Sequence, residues 1–174
     1  EMCIRDSAKI DPAMTVATGD FEYIIIQFPY FDNAGNGVFE RVIPVRKVTL
    51  ANGEETYIAT VYDLMASQYG VKRFNHELES KGFDDAASFY TPAWQEKITG
   101  VKANVVTQVA KEFAQNAIDT GGRSMIIMGA GINHWFNSDT IYRSVLNLVV
   151  LCGCQGVNGG GWAHYCLLYT SDAA

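Results

Sequence analysis

The stretch GRSMIIMGAGINHWFNSDTIYRSVLNLVVLCGCQGVNGGGWAHY, Gly122 to Tyr165, decides the fold. Ser124 to Met128 is short and nearly all apolar, the pattern of a strand buried in a parallel sheet. It runs into a glycine pair, Gly129 and Gly131, and then into Asn133, His134 and Trp135, side chains able to touch a ligand. Ser138 or Asp139 is expected to cap a helix that continues to Leu151 or Cys152. A second glycine-rich turn, Gly159-Gly160-Gly161, leads into Trp162 and His164. A strand that ends in glycines ahead of a helix lets backbone amides approach a phosphate or a flat ring closely. Two such loops in one segment point to a large, flat, phosphate-bearing ligand. Ligands of open α/β sheets sit at the carboxyl ends of the strands, so Gly129 to Trp135 is the expected edge.

Each motif also has a plainer reading. Gly129-Ala130-Gly131 lacks the third glycine and the immediate helix of a dinucleotide fingerprint. His134 can cap the next helix or sit satisfied in a core. Gly159-Gly160-Gly161 is either a flexible connector or a place where a ligand or another backbone needs the space. Cys152-Gly153-Cys154 offers two thiolates, too few for a cluster, and reads better as soft, buried residues at a helix end. His76 falls in a polar loop and is expected to be solvated, as are Glu54-Glu55 and Asp84-Asp85. Phe28, Tyr30, Phe31, Phe89, Tyr90 and Trp94 read as packing residues.

Working outward, the chain falls into two parts, 8–60 and 61–165. In the first, Phe21 to Gln27 reads as a buried strand, broken by Pro29 and the loop Asn33 to Gly37. Asn52-Gly53 signals a two-residue turn between Arg41 to Leu50 and Glu55 to Thr60, a β-hairpin without obvious chemistry. In the second, Val61 to Tyr69 is a helix terminated by Gly70, and Lys72 to Asp85 is a loop. Thr91-Pro92 starts a helix with a capping hydroxyl and a proline in its first turn, ending near Gly100. Asn104 to Ile118 is an amphipathic helix with Val105, Val109, Phe113 and Ala117 along one face. The fold class is therefore α/β, a β-hairpin region followed by helices and a buried parallel-type strand.

RSMIIMGAGINHW, followed at this separation by CGC and GGGWAHY, resembles the catalytic alpha subunits of membrane-bound respiratory nitrate reductases. These are molybdenum enzymes of the DMSO-reductase superfamily. The resemblance runs from about Phe21 to Tyr165, through FPYF (Phe28 to Phe31), TVYDL (Thr60 to Leu64) and YTPAWQEKITGV (Tyr90 to Val101). It implies reduction of nitrate to nitrite by oxygen-atom transfer, with electrons from quinol passing through iron–sulfur clusters. It implies a molybdenum cofactor of two pterin guanine dinucleotides, and a 4Fe-4S cluster whose ligands lie outside this segment. The implied partners are an iron–sulfur beta subunit and a haem-containing membrane gamma subunit, at the cytoplasmic face of the membrane. Carried over, the cofactor-binding candidates are Gly129, Ala130, Gly131, Asn133, His134 and Trp135, with Gly160, Gly161 and His164 in the second loop. The metal's carboxylate ligand lies upstream in that family, so no catalytic residue and no metal ligand is expected here. A nitrite oxidoreductase or another molybdopterin oxyanion reductase stays open as an alternative, as does a non-catalytic α/β binding scaffold.

The two ends read differently. EMCIRDS, Glu1 to Ser7, back-translates as GAG ATG TGT ATA AGA GAC AG. The opposite strand, read one base in, encodes Cys-Leu-Leu-Tyr-Thr-Ser, the start of CLLYTSDAA, Cys166 to Ala174. That DNA resembles the transposase mosaic end used to build sequencing libraries, so both ends are expected to be adapter-derived scars around an internal fragment. Without them three acids and one base are lost, and the net charge of −6 becomes −4. The balance is mildly acidic and carries no basic patch for nucleic acid. No apolar run approaches the roughly 18 residues that span a bilayer. Two cysteines remain after the trim, Cys152 and Cys154, which is no disulfide framework.

Overall fold

The computed structural model describes residues 14–30 and 37–164. Both end segments read as scars, and Phe31, lie outside the described residues. The chain divides after Asn104 into two compact units.

The first unit is built on an antiparallel sheet of β1 (Glu22–Tyr30), β2 (Gly37–Thr49) and β3 (Glu55–Ile58), in that order. β2 carries the core: Phe39, Val42, Ile43 and Val45 are buried. Its residues do not alternate cleanly because five in a row, Arg41 to Val45, are covered. β1 was expected to be buried. It is an edge strand instead, with Tyr23 and Ile25 exposed. Pro29 does not break it; it pairs with Val38 inside the strand, which an edge allows because one side of the strand needs no N–H. Pro44 pairs with Tyr23 in β2, outside the stretch that β3 covers (Arg46 to Thr49). The hairpin forms, but not with a two-residue turn. The Leu50 N–H bonds the Glu54 carbonyl at 2.8 Å, which encloses a three-residue loop. Gly53 takes the left-handed position there (φ 87°), as such loops require.

Helix α1 (Val61–Gln68) is capped by Thr60, whose hydroxyl accepts from the Asp63 N–H. Asp63 is fully buried. Its carboxylate accepts from Thr15 Oγ1 (2.6 Å), the Val16 N–H (2.9 Å), Thr60 Oγ1 (2.8 Å) and Arg73 Nη1 (2.7 Å). Burial favours its neutral form, but those four donors outweigh burial and hold the carboxyl below its usual value. The loop from Lys72 to Asp85 has no helix or strand, yet carboxylates order it. Glu79 accepts from the N–H groups of Arg73, Phe74 and His76. Asp85 accepts from those of Lys81 and Ala87. His76 is half-buried rather than solvated, with Nδ1 accepting from the Leu78 N–H. Helix α2 (Pro92–Thr99) starts where the sequence places it: the Thr91 hydroxyl accepts from the Trp94 N–H, and Gly100 ends it at φ 74°. Tyr30, Phe39, Phe89 and Trp94 form a chain of ring contacts, as packing residues should.

The second unit contains most of α3 (Ala103–Thr120), then β4 (Met125–Met128), α4 (Ala130–Asn133), α5 (Ser138–Leu151) and β5 (Gly161–His164). β4 and β5 pair in parallel, Met125 opposite Gly161 and Met128 opposite His164. Burial is one-sided: Met128 is buried, while Ile127 is 71% exposed. Of the apolar face expected on α3, Ala117 is buried and Phe113 packs beside it, but Val105 and Val109 are exposed. The core joins Ala117, Val149 and Cys154, with Ile126, Leu146 and Trp162 packed around them. Two helices end alike. Gly122 bonds back to the Ala117 carbonyl and Gly121 to Ile118; Cys154 bonds back to Val149 and Gly153 to Val150. These paired bonds close the helix C-termini with a glycine in the left-handed position.

Candidate functional site

β4 and β5 run the same way, so their carboxyl ends lie together. One ends at Met128 and leads into Gly129; the other ends at His164. The segment after β4 was expected as an open loop. It is a single helical turn, α4, with Gly129 as its N-cap residue. Neither Ser138 nor Asp139 caps α5. The N-cap is Asn137, without a side-chain bond, and Asp139 sits in the first turn.

Asn133 and His164 meet at this edge, Nδ2 of the amide lying 3.1 Å from Nε2 of the ring. The Tyr142 hydroxyl, from α5, is 2.7 Å from the same nitrogen. Tyr142 also packs edge-on against Trp162, with ring centroids 5.6 Å apart. The other end of the Asn133 amide, Oδ1, is buried without a partner, and so is Trp162 Nε1. A buried acceptor left unpaired costs about 1–3 kcal/mol. His134 and Trp135 are exposed; the Trp135 indole N–H bonds back to the Gly131 carbonyl at 2.7 Å. Phe136 is fully exposed.

The glycines divide sharply. A Cβ on Gly160 would overlap the Gly122 carbonyl oxygen, with the Cys154 carbonyl 2.9 Å away. A Cβ on Gly122 would lie 2.6 Å from the Gly153 carbonyl. Gly160 and Gly161 therefore lie where backbones crowd, at the amino end of the strand pair, away from Gly129. At Gly129 and Gly131 a Cβ would meet no atom of the described residues within 4 Å. Gly129 is extended (φ −133°), a conformation open to any residue. Among the described residues, nothing requires glycine at either position.

The structure thus brings Gly129, Ala130, Gly131, Asn133 and His164 to one edge, with His134 and Trp135 on its outer rim. Gly160 and Gly161 sit at the other end. Sequence reasoning missed Tyr142. Its spacing held the signal, since Tyr142, Leu146 and Val149 follow one face of α5, which puts a phenol on a core-facing stripe. Cys152 and Cys154 form no part of the edge. Both are free thiols at the C-terminus of α5, and burial pushes the Cys152 thiol up, away from the thiolate a metal takes. An open depression of about 500 Å³, lined by Asp20, Phe21, Glu22, Arg46 and Lys47, lies in the first unit and contains none of these residues.

A family model described as molybdopterin oxidoreductase matches residues 15–174. The chain belongs to the molybdopterin oxidoreductase family. It is 60% identical over 156 residues to the nitrate reductase alpha chain of Bacillus subtilis, covering 90% of this chain and 12% of that protein. It is 44% identical over 149 residues to the respiratory nitrate reductase 1 alpha chain of Escherichia coli, covering 80% of this chain and 12% of that protein. A nitrate reductase alpha subunit of Mycobacterium tuberculosis is 46% identical over 168 residues, covering 92% of this chain and 13% of its own length. The chain thus spans about an eighth of the length of these relatives. The family implies a molybdopterin cofactor, and the edge fits one. The Asn133 amide oxygen lacks a hydrogen-bond donor, and a pterin ring edge carries N–H donors. No described atom lies within 4 Å of a Cβ on Gly129 or Gly131, so none of these residues keeps a flat ring from the backbone there.

Proposed function

We propose that this chain is part of the catalytic subunit of a molybdenum-dependent nitrate reductase that takes electrons from quinol, and that the carboxyl edge of β4 and β5 is part of its cofactor site. The observation that carries the site is the pairing of a buried, partnerless Asn133 oxygen with two glycines that no described residue requires. The nitrate assignment is supported by the relatives, each named as a nitrate reductase alpha chain or subunit. In this reading the cofactor is the bis-guanine dinucleotide form. A 4Fe-4S cluster, an iron–sulfur beta subunit and a haem-containing gamma subunit complete the electron path, with the complex peripheral to the membrane on its cytoplasmic face. No helix among the described residues is long and apolar enough to cross a membrane.

The chemistry that the cofactor supplies when bound is two-electron oxygen-atom transfer; the protein's share is binding and orientation. Gly129 and Gly131 keep side chains out of the way of a flat ring. Asn133 offers a hydrogen-bond acceptor. His164 and Tyr142 hold that amide in place. His134 and Trp135, exposed on the rim, are available to whatever lies over the edge.

His134→Ala in the full-length subunit tests the reading, because an exposed side chain is removable without harm to folding. Molybdenum per folded subunit and nitrate turnover are measured together. Unchanged yield of folded protein with less molybdenum, or with full molybdenum and slower turnover, is expected. Unchanged values of both would remove His134 from the site. Turnover of perchlorate, or of nitrite in the oxidative direction, exceeding that of nitrate would replace the assigned substrate.

A further inference from the structure

The Tyr142 hydroxyl has no task in the packing of α5, which its ring already accomplishes against Trp162. Its position, 2.7 Å from His164 Nε2, gives it one. A ring nitrogen has a single in-plane position, filled either by a proton or by a lone pair. Asn133 turns its NH2 group toward that nitrogen. Two N–H donors cannot face each other, so this orientation of the amide goes with a bare Nε2. A hydroxyl that donates to Nε2 favours the bare form, and its one lone pair is then shared in a three-centre bond, the hydroxyl at 2.7 Å and the amide at 3.1 Å. With the NH2 group turned inward, the amide oxygen is the end left buried and partnerless. If Nε2 carried the proton, the amide would turn over to bond it, and the NH2 group would take the oxygen's place.

We propose that Tyr142 is a positioning residue: through His164 it fixes the Asn133 amide so that an acceptor, not a donor, is presented to the N–H edge of the pterin ring. This rests on the reading of the edge as a cofactor site. The chain of influence has three links on three elements, Tyr142 on α5, His164 on β5 and Asn133 on α4. It selects a ligand whose facing edge donates, as a pyrimidinone N–H and its neighbouring amino group do, and disfavours one whose facing edge accepts.

The test is a double-mutant cycle in the full-length holoenzyme, with Tyr142→Phe, Asn133→Ala and the pair. The readout is the rate at which pterin leaves the folded subunit in mild denaturant, followed by the fluorescence of the released, oxidised pterin. Tyr142→Phe keeps the ring and removes only the hydroxyl. It is expected to speed release about fivefold, the worth of one ordinary hydrogen bond. Asn133→Ala is expected to speed release at least as much. In the Asn133→Ala background Tyr142→Phe is expected to add nothing, because the amide it acts through is gone. A merely structural tyrosine would weaken retention equally in both backgrounds, and that additivity overturns the proposal. If Asn133→Ala and His164→Ala both leave release unchanged, the cofactor reading of the edge fails as well. If they speed release while Tyr142→Phe does not, only the role of Tyr142 falls. Should Tyr142→Phe give no folded subunit, His164→Gln against His164→Leu decides. The glutamine amide can keep a polar end toward both partners, and it should retain pterin several-fold longer than leucine; equal release overturns the proposal.

Discussion

Asp63 ties separate segments of the first unit together. It draws the segment around Thr15, the start of α1 and the loop at Arg73 onto one buried carboxylate. Removing it leaves the Arg73 guanidinium without its partner, and breaking a buried pair in this way costs about 3–5 kcal/mol. Asp63→Ala is therefore expected to lower the denaturant midpoint of the protein far more than Glu55→Ala, which removes only an exposed partner of Lys47. The pH dependence follows from the sign of the shift. The folded carboxyl titrates below its unfolded value, so the folded state holds fewer protons between the two. Its contribution is complete above the ordinary carboxylate range and is lost as pH falls through the folded value. Asp63→Asn should flatten the acid limb of a stability-against-pH curve; an unchanged limb would show that other carboxylates set it. The glycines yield a second contrast. Gly160→Ala drives a Cβ into two backbone carbonyls and should sharply reduce folded protein. Gly129→Ala meets no atom of the described residues, so folded yield should hold while pterin content falls.

At the scale of elements, the ends of helices are decided locally. The Thr91 hydroxyl caps α2 and also donates to the Asp85 carbonyl at 2.7 Å. Thr91→Ala should cost about 1 kcal/mol or somewhat more, whereas Thr91→Ser should cost much less; thermal midpoints of the two variants check this. Because caps act within one turn, α2 and the end of α5 were legible from Thr91-Pro92 and Cys152-Gly153-Cys154. The parallel pairing of β4 was legible too, from a short apolar run beside glycines. Burial was not. Whether Ile25 or Ile127 is covered depends on neighbours that no local pattern specifies. The placement of Asn133 and the two glycines at the carboxyl end of β4 could be read in advance. The bond from His164 to Tyr142 could not, since 22 residues separate the two. Gly160 shows the opposite difficulty. Its sequence signal was real, but it reported a crowded backbone, and sequence alone could not distinguish that from a ligand.

At the scale of the whole molecule, both units expose large apolar side chains, Val61 and Ile98 among those of the first. Val105, Val109, Ile118, Met125, Ile127 and Phe136 are all exposed in the second unit. Parallel strands are normally covered on both faces, and a two-stranded sheet is marginal alone. Expressed by itself, this chain is expected to self-associate and to bind a hydrophobic dye. Val109→Lys together with Ile127→Lys should reduce both without loss of helix signal. Sizing chromatography at increasing concentration checks this, and a concentration-independent monomer would contradict it.

The crowded junction of Gly122, Gly153 and Gly160 gives the small parallel sheet a direction for anyone who wishes to alter it. Where those turns meet, no atom can be added, so that end behaves as an anchor whose shape is set by main chain alone. Thirteen ångströms or so of strand away, about four residues at the usual rise, Gly129 and Gly131 face no described atom. A library of substitutions and insertions confined to residues 129–136 would therefore sample new ligand shapes on an unchanged base. The same library placed at 156–161 would mostly return misfolded chains. One short sheet thus carries a foundation at its entrance and an adjustable mouth at its exit.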